Sequence, residues 1–380
     1  MKKNPLQQLG TLGQSIWLDY IRRDLIAGGG LRRMIEEDGL RGMTSNPAIF
    51  EKAIAQSHDY DGEIRTMELE GKGAGAIYET ISQRDVRSAA DEFRPLYDTT
   101  DGKDGYVSLE VNPHLAHDTN GTIDEARRLS AALNRPNVLI KVPATVEGLP
   151  AIRQLISEGI SVNVTLLFGL PRYRQVAEAY LDGIEARLAH GKPVKHIASV
   201  ASFFLSRIDT LVDPMLEKLI SQGGKDTDLA KKARGQAAIA SAKVAYQIHK
   251  EIFEGDRFRK LAAQGARVQR LLWASTSSKN PEYSDVKYVE ALIGPDTVNT
   301  APPETIDAYR DHGEPKARLE QDVKEARRVL ERIAELGISI DKVTQQLEDE
   351  GVEKFNIPFD KLMKTLAQRS ARHSKSDSRL

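Results

Sequence analysis

Eight short runs rich in aliphatic and β-branched residues recur along this chain, and segments with helical spacing separate most of them. The runs fall at 16–21, 40–47, 106–111, 138–142, 161–168, 197–204, 270–275 and 297–301. Several are apolar at consecutive positions, which suits strands buried on both faces. Parallel neighbours need a crossover connection, so the alternation with helices predicts a parallel sheet. Eight such units in 380 residues favour closure into a (β/α)8 barrel of the TIM type. An open, doubly wound sheet is the competing arrangement.

The intervening segments carry the rest of the organisation. Residues 51–94 are polar and charged with helical spacing, and 118–133, 149–156 and 172–190 read as further helices. Gly28-Gly29-Gly30 lacks the G-x-G-x-x-G spacing and says little about nucleotides. From Asp213-Pro214 the pattern changes to Ala- and Lys-rich helix without strand signal, which predicts a helical insertion over 213–267 after the sixth strand. Beyond the eighth strand, Leu319, Val323, Ala326, Leu330 and Ile333 hold one helical stripe, with Gly337 as a C-cap. We therefore expect one barrel domain over 1–367 and a disordered polar tail over 368–380.

Composition excludes several classes. Lys and Arg number 54 against 55 Asp and Glu, so no global field points to nucleic acid or an anionic membrane. With no cysteine, disulfides, thiol nucleophiles and thiolate-bound zinc are out. The start, Met1-Lys2-Lys3-Asn4-Pro5, leads into polar residues and not into an apolar signal core. The longest apolar runs are too short to span a bilayer. A soluble, cytoplasmic protein with no membrane or nucleic-acid partner is the expectation. A monomer and a homodimer both stay open.

The fourth run, Val138-Leu139-Ile140-Lys141-Val142-Pro143, holds a lysine where an ammonium is costly unless paired or deprotonated. A desolvated amine is a nucleophile toward ketones. Pro143 has no N–H and marks the strand's end, so Lys141 sits near a carboxyl end, where barrels keep their chemistry. A lysine at a strand edge with its head in solvent is the plainer alternative. Other polar residues stand near other strand ends. Asp19 is a cap or turn residue, or a buried base. Asn46 caps the helix that Pro47 begins. Glu110 ends the third run, and Asn163 and Thr165 share one face of the fifth. Ser202 and Arg207 end the sixth; Ser275, Ser277 and Lys279 follow the seventh. In a barrel all of these converge on one mouth. Lys141 then suits an amine nucleophile, and Asp19 and Glu110 a paired acid and base. Asn46, Asn163 and Thr165 suit sugar hydroxyls or a catalytic water. Arg207 and Lys279, with Ser202, Ser275 and Ser277, suit a phosphate. Together they describe a ketose phosphate as substrate. His114 and His117 lack a third ligand by sequence and read as loop or helix-start residues.

The pieces Leu18-Asp19, Thr44-Ser45-Asn46-Pro47, Ser108-Leu109-Glu110-Val111, Leu139 through Thr145, Asn163 through Phe168, Arg207 and Ala274-Ser275-Thr276 stand in the order of one family. The chain resembles the transaldolases, class I Schiff-base aldolases with a (β/α)8 barrel, and most of all their longer bacterial branch. The resemblance implies a transferase of the non-oxidative pentose phosphate pathway. It implies transfer of a dihydroxyacetone unit from sedoheptulose 7-phosphate to glyceraldehyde 3-phosphate, giving erythrose 4-phosphate and fructose 6-phosphate. On it, Lys141 forms the Schiff base, Asp19 takes the proton of the C4 hydroxyl, and Glu110 works through a water held by Thr165. Asn46 and Asn163 hold the dihydroxyacetone hydroxyls, and Arg207, Ser275 and Lys279 the phosphate. Neither metal nor organic cofactor is implied. The family often has Thr, Gly and Arg where this chain has Tyr20, Ser206 and, one residue later, Lys279. The rival readings are an aldolase of the same fold that releases free dihydroxyacetone, and a non-catalytic sugar-phosphate-binding barrel.

Overall fold

The computed structural model describes residues 4–377, with side chains through Gln368. Eight strands form: β1 (Gln14–Asp19), β2 (Gly42–Thr44), β3 (Tyr106–Glu110), β4 (Val138–Pro143), β5 (Val162–Leu167), β6 (Ser199–Phe204), β7 (Arg270–Ala274) and β8 (Thr297–Ala301). They pair in sequence order and β8 closes on β1, every pair parallel. The open sheet is thereby excluded, and the (β/α)8 barrel stands. Nearly all strand residues are buried, as the two-sided apolar runs require.

Register brings the polar strand residues level. Glu110 lies beside Lys141, Lys141 beside Asn163, and Pro143 beside Thr165. Across the barrel Asp19 lies beside Thr44. Trp17, two residues before Asp19, faces the same side. Its partner is Gly42, where a Cβ would come within 2.5 Å of the indole ring, so only glycine fits there. At β5 the pairing with β6 slips between Val164 and Leu167, and Leu166 adopts φ +56°. Ser275, just past β7, has φ +54°. Non-glycine residues in this region carry about 1–3 kcal/mol of strain, and such strain gathers at functional sites.

The connection from β6 to β7 holds four helices, Ser206–Gln222, Thr227–Ala233, Ala237–Phe253 and Asp256–Ala262. The helical insertion expected over 213–267 starts earlier in the chain: its first helix begins at Ser206 and runs through Pro214. Proline removes one backbone donor without ending the helix here. Asp213 meanwhile accepts from the Gly235 N–H at 2.8 Å and the Tyr283 hydroxyl at 2.6 Å.

The last helix, Ile340–Asp377, crosses the barrel mouth. Glu348 pairs with Arg172 (3.1 Å), just after β5. Further along, Phe359 meets Tyr78 edge-on, and Lys361 pairs with Glu51 at 2.8 Å, on the β2–β3 side. The end of the polar tail expected over 368–380 lies outside the described residues; the backbone continues this helix to Asp377. Among the described residues no helix is long and apolar enough to cross a membrane.

Candidate active site

A cavity of about 230 Å³ opens among the carboxyl ends of the strands. Nine of the eleven residues expected from sequence line it: Asp19, Asn46, Lys141, Thr165, Ser202, Arg207, Ser275, Ser277 and Lys279. Glu110 and Asn163 stand behind that wall, each touching a residue in it.

Lys141 is only 4% exposed. Its Nζ donates to the Ser45 carbonyl at 3.0 Å and lies 3.2 Å from Glu110 Oε2. Ser45 is held in turn by its hydroxyl, which donates to the Ser108 carbonyl. The Phe355 ring, from the last helix, sits 5.7 Å from Nζ. The lysine with its head in solvent is therefore ruled out. A buried amine beside a carboxylate has a partner for its proton within reach.

Two carboxyls flank this centre in different settings. Burial pushes Glu110 above the usual carboxylate range, Lys141 opposes the shift, and the nearby Asp19 charge adds to it. Asp19 is also raised by desolvation, opposed by Lys141, by the Thr44 hydrogen bond and by Arg207. The Thr44 hydroxyl donates to Asp19 Oδ1 at 2.7 Å and lies 2.7 Å from the Thr300 hydroxyl. Thr300 can thus pass its proton's hydrogen bond along to Thr44, which fixes the direction of the Thr44 donor.

Asn46 does cap its helix: its Oδ1 accepts from the Ile49 N–H at 3.0 Å, with Pro47 in the first turn. It reaches the cavity nonetheless, so capping and lining coexist. Asn163 behaves otherwise than expected. Its amide spans Ser108 (3.0 Å) and Ser202 (2.7 Å), it is fully buried, and it supports Ser202 instead of lining the cavity. Thr165 lines the cavity, and its buried hydroxyl has no hydrogen-bond partner among the described residues.

The far wall is cationic. Arg207 stands at the second residue of the Ser206–Gln222 helix, above the Phe204 ring at 5.3 Å, and one buried Nη has no hydrogen-bond partner among the described residues. Burial lowers its pKa, opposed by Asp19 and Glu350. The Ser206 and Ser275 hydroxyls meet at 2.9 Å and tie this helix start to the end of β7. Lys279 is exposed and donates to Ser277. Helix N-terminus, guanidinium and hydroxyls make an anion cradle.

Sequence reasoning missed Thr44, Thr300, Glu304, Phe204 and Phe355, all in the wall. Thr44 lay inside a quoted motif but was given no role. Phe355 had no sequence signal at all, since only the packing of the last helix brings it to Lys141. Outside the cavity, His114 faces Asp360 and His117 faces Glu147.

A family model described as Transaldolase/Fructose-6-phosphate aldolase matches residues 16–366. The chain belongs to this family. It is 49% identical over 373 residues to a transaldolase of Trichodesmium erythraeum, covering 97% of this chain and 98% of that protein. It is 50% identical to a transaldolase 2 of a Nostoc species, covering 96% and 97%. A transaldolase of Thiobacillus denitrificans is 47% identical, covering 95% and 99%. Similarity of this order along nearly the whole of both chains supports transaldolase function, that of a transferase of aldehyde or ketone groups.

Proposed function

We propose that this member of the family transfers a dihydroxyacetone unit from sedoheptulose 7-phosphate to glyceraldehyde 3-phosphate through a Schiff base on Lys141. The observation that carries the reading is the placement of Lys141 Nζ: it is buried, 3.2 Å from Glu110, in a cavity whose far wall carries Arg207. Arg207, the helix start at Ser206 and Ser275 hold the phosphate, with Lys279 at the rim. The C2 carbonyl then faces Lys141.

The amine of Lys141 attacks C2. Glu110, through a water held by Thr165, moves the protons that turn the carbinolamine into water and a protonated imine. Asp19 takes the proton of the C4 hydroxyl as the C3–C4 bond breaks. The bonding electrons pass into the imine, giving an enamine and releasing erythrose 4-phosphate. The enamine carbon attacks the aldehyde of glyceraldehyde 3-phosphate, whose oxygen regains a proton from Asp19. Hydrolysis of the new imine frees fructose 6-phosphate and restores the amine. The protonated imine is the electron sink, so the chemistry calls for no cofactor.

The test is reductive trapping. Borohydride added with fructose 6-phosphate should fix a three-carbon adduct on the peptide carrying Lys141, read by mass spectrometry. An adduct elsewhere, or none, overturns the assignment. The same donor without acceptor should give at most slow release of dihydroxyacetone. Steady multiple turnover would favour the aldolase.

A further inference from the structure

The Ser206–Gln222 helix, which carries Arg207 at its second residue, presents a row of carboxylates: Asp209, Asp213 and Glu217. They stand four residues apart, so they share one face of the helix. Each reaches in two directions. On one side lies the stretch 234–238 of the helical insertion. Asp209 accepts from the Ala238 N–H at 2.8 Å, Asp213 from the Gly235 N–H at 2.8 Å, and Glu217 from Arg234 Nε at 2.8 Å. On the other side lies the far end of the loop that follows β7. Asp209 accepts from Lys287 Nζ at 2.9 Å and from the Tyr288 hydroxyl at 2.8 Å, and Asp213 from the Tyr283 hydroxyl at 2.6 Å. Arg234, bound to Glu217, also donates to Glu282 at 2.6 Å. The Lys287 ammonium sits 3.7 Å from the centre of the Tyr283 ring. Gly235 has φ +69°, and a Cβ there would come within 2.7 Å of the Tyr283 hydroxyl, so glycine lets insertion and loop meet.

The near end of the same loop is anchored at the helix start, where the Ser206 N–H donates to the Ser275 carbonyl at 3.0 Å beside the contact of their hydroxyls. Between the two anchorages stand Ser277 and Lys279, both in the wall of the catalytic cavity. Lys279 also borders a space of about 290 Å³ between loop and helix, together with Asp213, Glu217 and Tyr283. Packed side chains do not fill that space, so the polar links across it set where the loop sits. Asp209 and Asp213 are buried, and water does not compete for their bonds.

We infer that Asp209 and Asp213 are positioning residues for phosphate recognition: from the helix that begins at Arg207 they hold the loop of Ser277 and Lys279 in place, with the helical insertion as the other half of the brace. The inference rests on the phosphate role proposed above for Arg207 and Lys279. It gives the insertion a part in substrate choice although none of its residues beyond Arg207 lines the catalytic cavity.

The test compares a phosphorylated acceptor with its unphosphorylated counterpart in the full chain. Sedoheptulose 7-phosphate is the donor, glyceraldehyde 3-phosphate or D-glyceraldehyde the acceptor, and initial release of erythrose 4-phosphate is measured. Donor and acceptor react in separate half-reactions, so kcat/KM for the acceptor reports the acceptor step alone. Tyr283→Phe deletes one hydroxyl at a half-buried position outside the catalytic cavity and takes the loop's bond from Asp213. It should lower kcat/KM for glyceraldehyde 3-phosphate about fivefold, the weight of one hydrogen bond, and leave that for D-glyceraldehyde unchanged. Lys287→Met takes the ammonium from Asp209, keeps the length of the side chain and should do the same. Where one of the two does not fold, the other carries the test. A lower melting temperature with an unchanged ratio, or an equal loss with both acceptors, makes the row a support of the fold alone and overturns the inference. Arg207→Ala separates this from failure of the phosphate assignment. If Arg207→Ala collapses the ratio while Tyr283→Phe and Lys287→Met leave it intact, only the brace falls. If Arg207→Ala also leaves the ratio intact, the assignment and the brace fall together.

Discussion

Lys141 Nζ lies 3.2 Å from Glu110 Oε2, with both side chains no more than 6% exposed. The pair sits on adjacent strands at matched register, so the barrel itself sets the spacing. Removing the carboxylate while keeping the shape tests what the pair does. Glu110→Gln should fold and should lose about 10²–10⁴-fold in kcat, the usual contribution of one acid–base group. Loss of imine formation, followed by borohydride trapping against time, separates this from a structural defect.

The same carboxyl predicts a pH dependence of stability. Burial raises the Glu110 pKa in the folded chain. Between its ordinary value, about 4.3, and the raised one, the folded state keeps a proton that the unfolded state has released. Stability contributed by this group is therefore present at the acid end and falls as pH rises through that window. Glu110→Gln removes the effect. Urea unfolding at a series of pH values should show a flatter curve for the variant above the ordinary carboxylate pKa.

Thr44 holds Asp19 by a hydrogen bond that favours the ionised form. Thr44→Val should let the Asp19 pKa rise further. The acid limb of the kcat/KM profile then moves to higher pH, and kcat falls roughly fivefold, as expected for a net hydrogen bond of about 1 kcal/mol. An unmoved limb would mean that Asp19 does not control it.

Arg207 and Lys279 should differ sharply. Arg207 is mostly buried at a helix start, and Lys279 is exposed. Arg207→Ala should raise KM for phosphorylated substrates by about ten- to a hundredfold, matching the 1.5–3 kcal/mol of a hydrogen bond to a charged group. Lys279→Ala should raise it only a few-fold, and less at high salt. Steady-state kinetics on both variants at two ionic strengths checks the ranking.

Phe355 links the last helix to the catalytic centre. It is 4% exposed and lines the cavity beside Lys141. Phe355→Ala should cost about 3–5 kcal/mol of helix docking. Limited proteolysis should cut within 340–377 sooner, and KM and kcat should both worsen. Phe355→Leu should restore most of the protection.

The sequence revealed the barrel well because its signal is local. A strand covered on both faces must be apolar along its length, and eight such runs survive any error in their ends. The site was legible for a related reason: polar residues at apolar strand ends stand out wherever the strands go. The partners of Asn163 were not legible, since Ser108 and Ser202 belong to other strands. The insertion begins at Ser206 and not at 213, because the helix runs on through Pro214, whose missing N–H removes one bond without ending it.

By itself, then, the sequence determined eight parallel strands, a lysine inside the fourth, and carboxyls on the first and third that closure would bring near it. Only the tertiary structure decided that Lys141 meets Glu110 and Ser45, that Thr44 and Thr300 steady Asp19, and that Phe355 closes over them. Strand identity depends on neighbours in the chain, whereas these contacts join residues tens to hundreds of positions apart, and only barrel closure and the path of the last helix fix which of them touch.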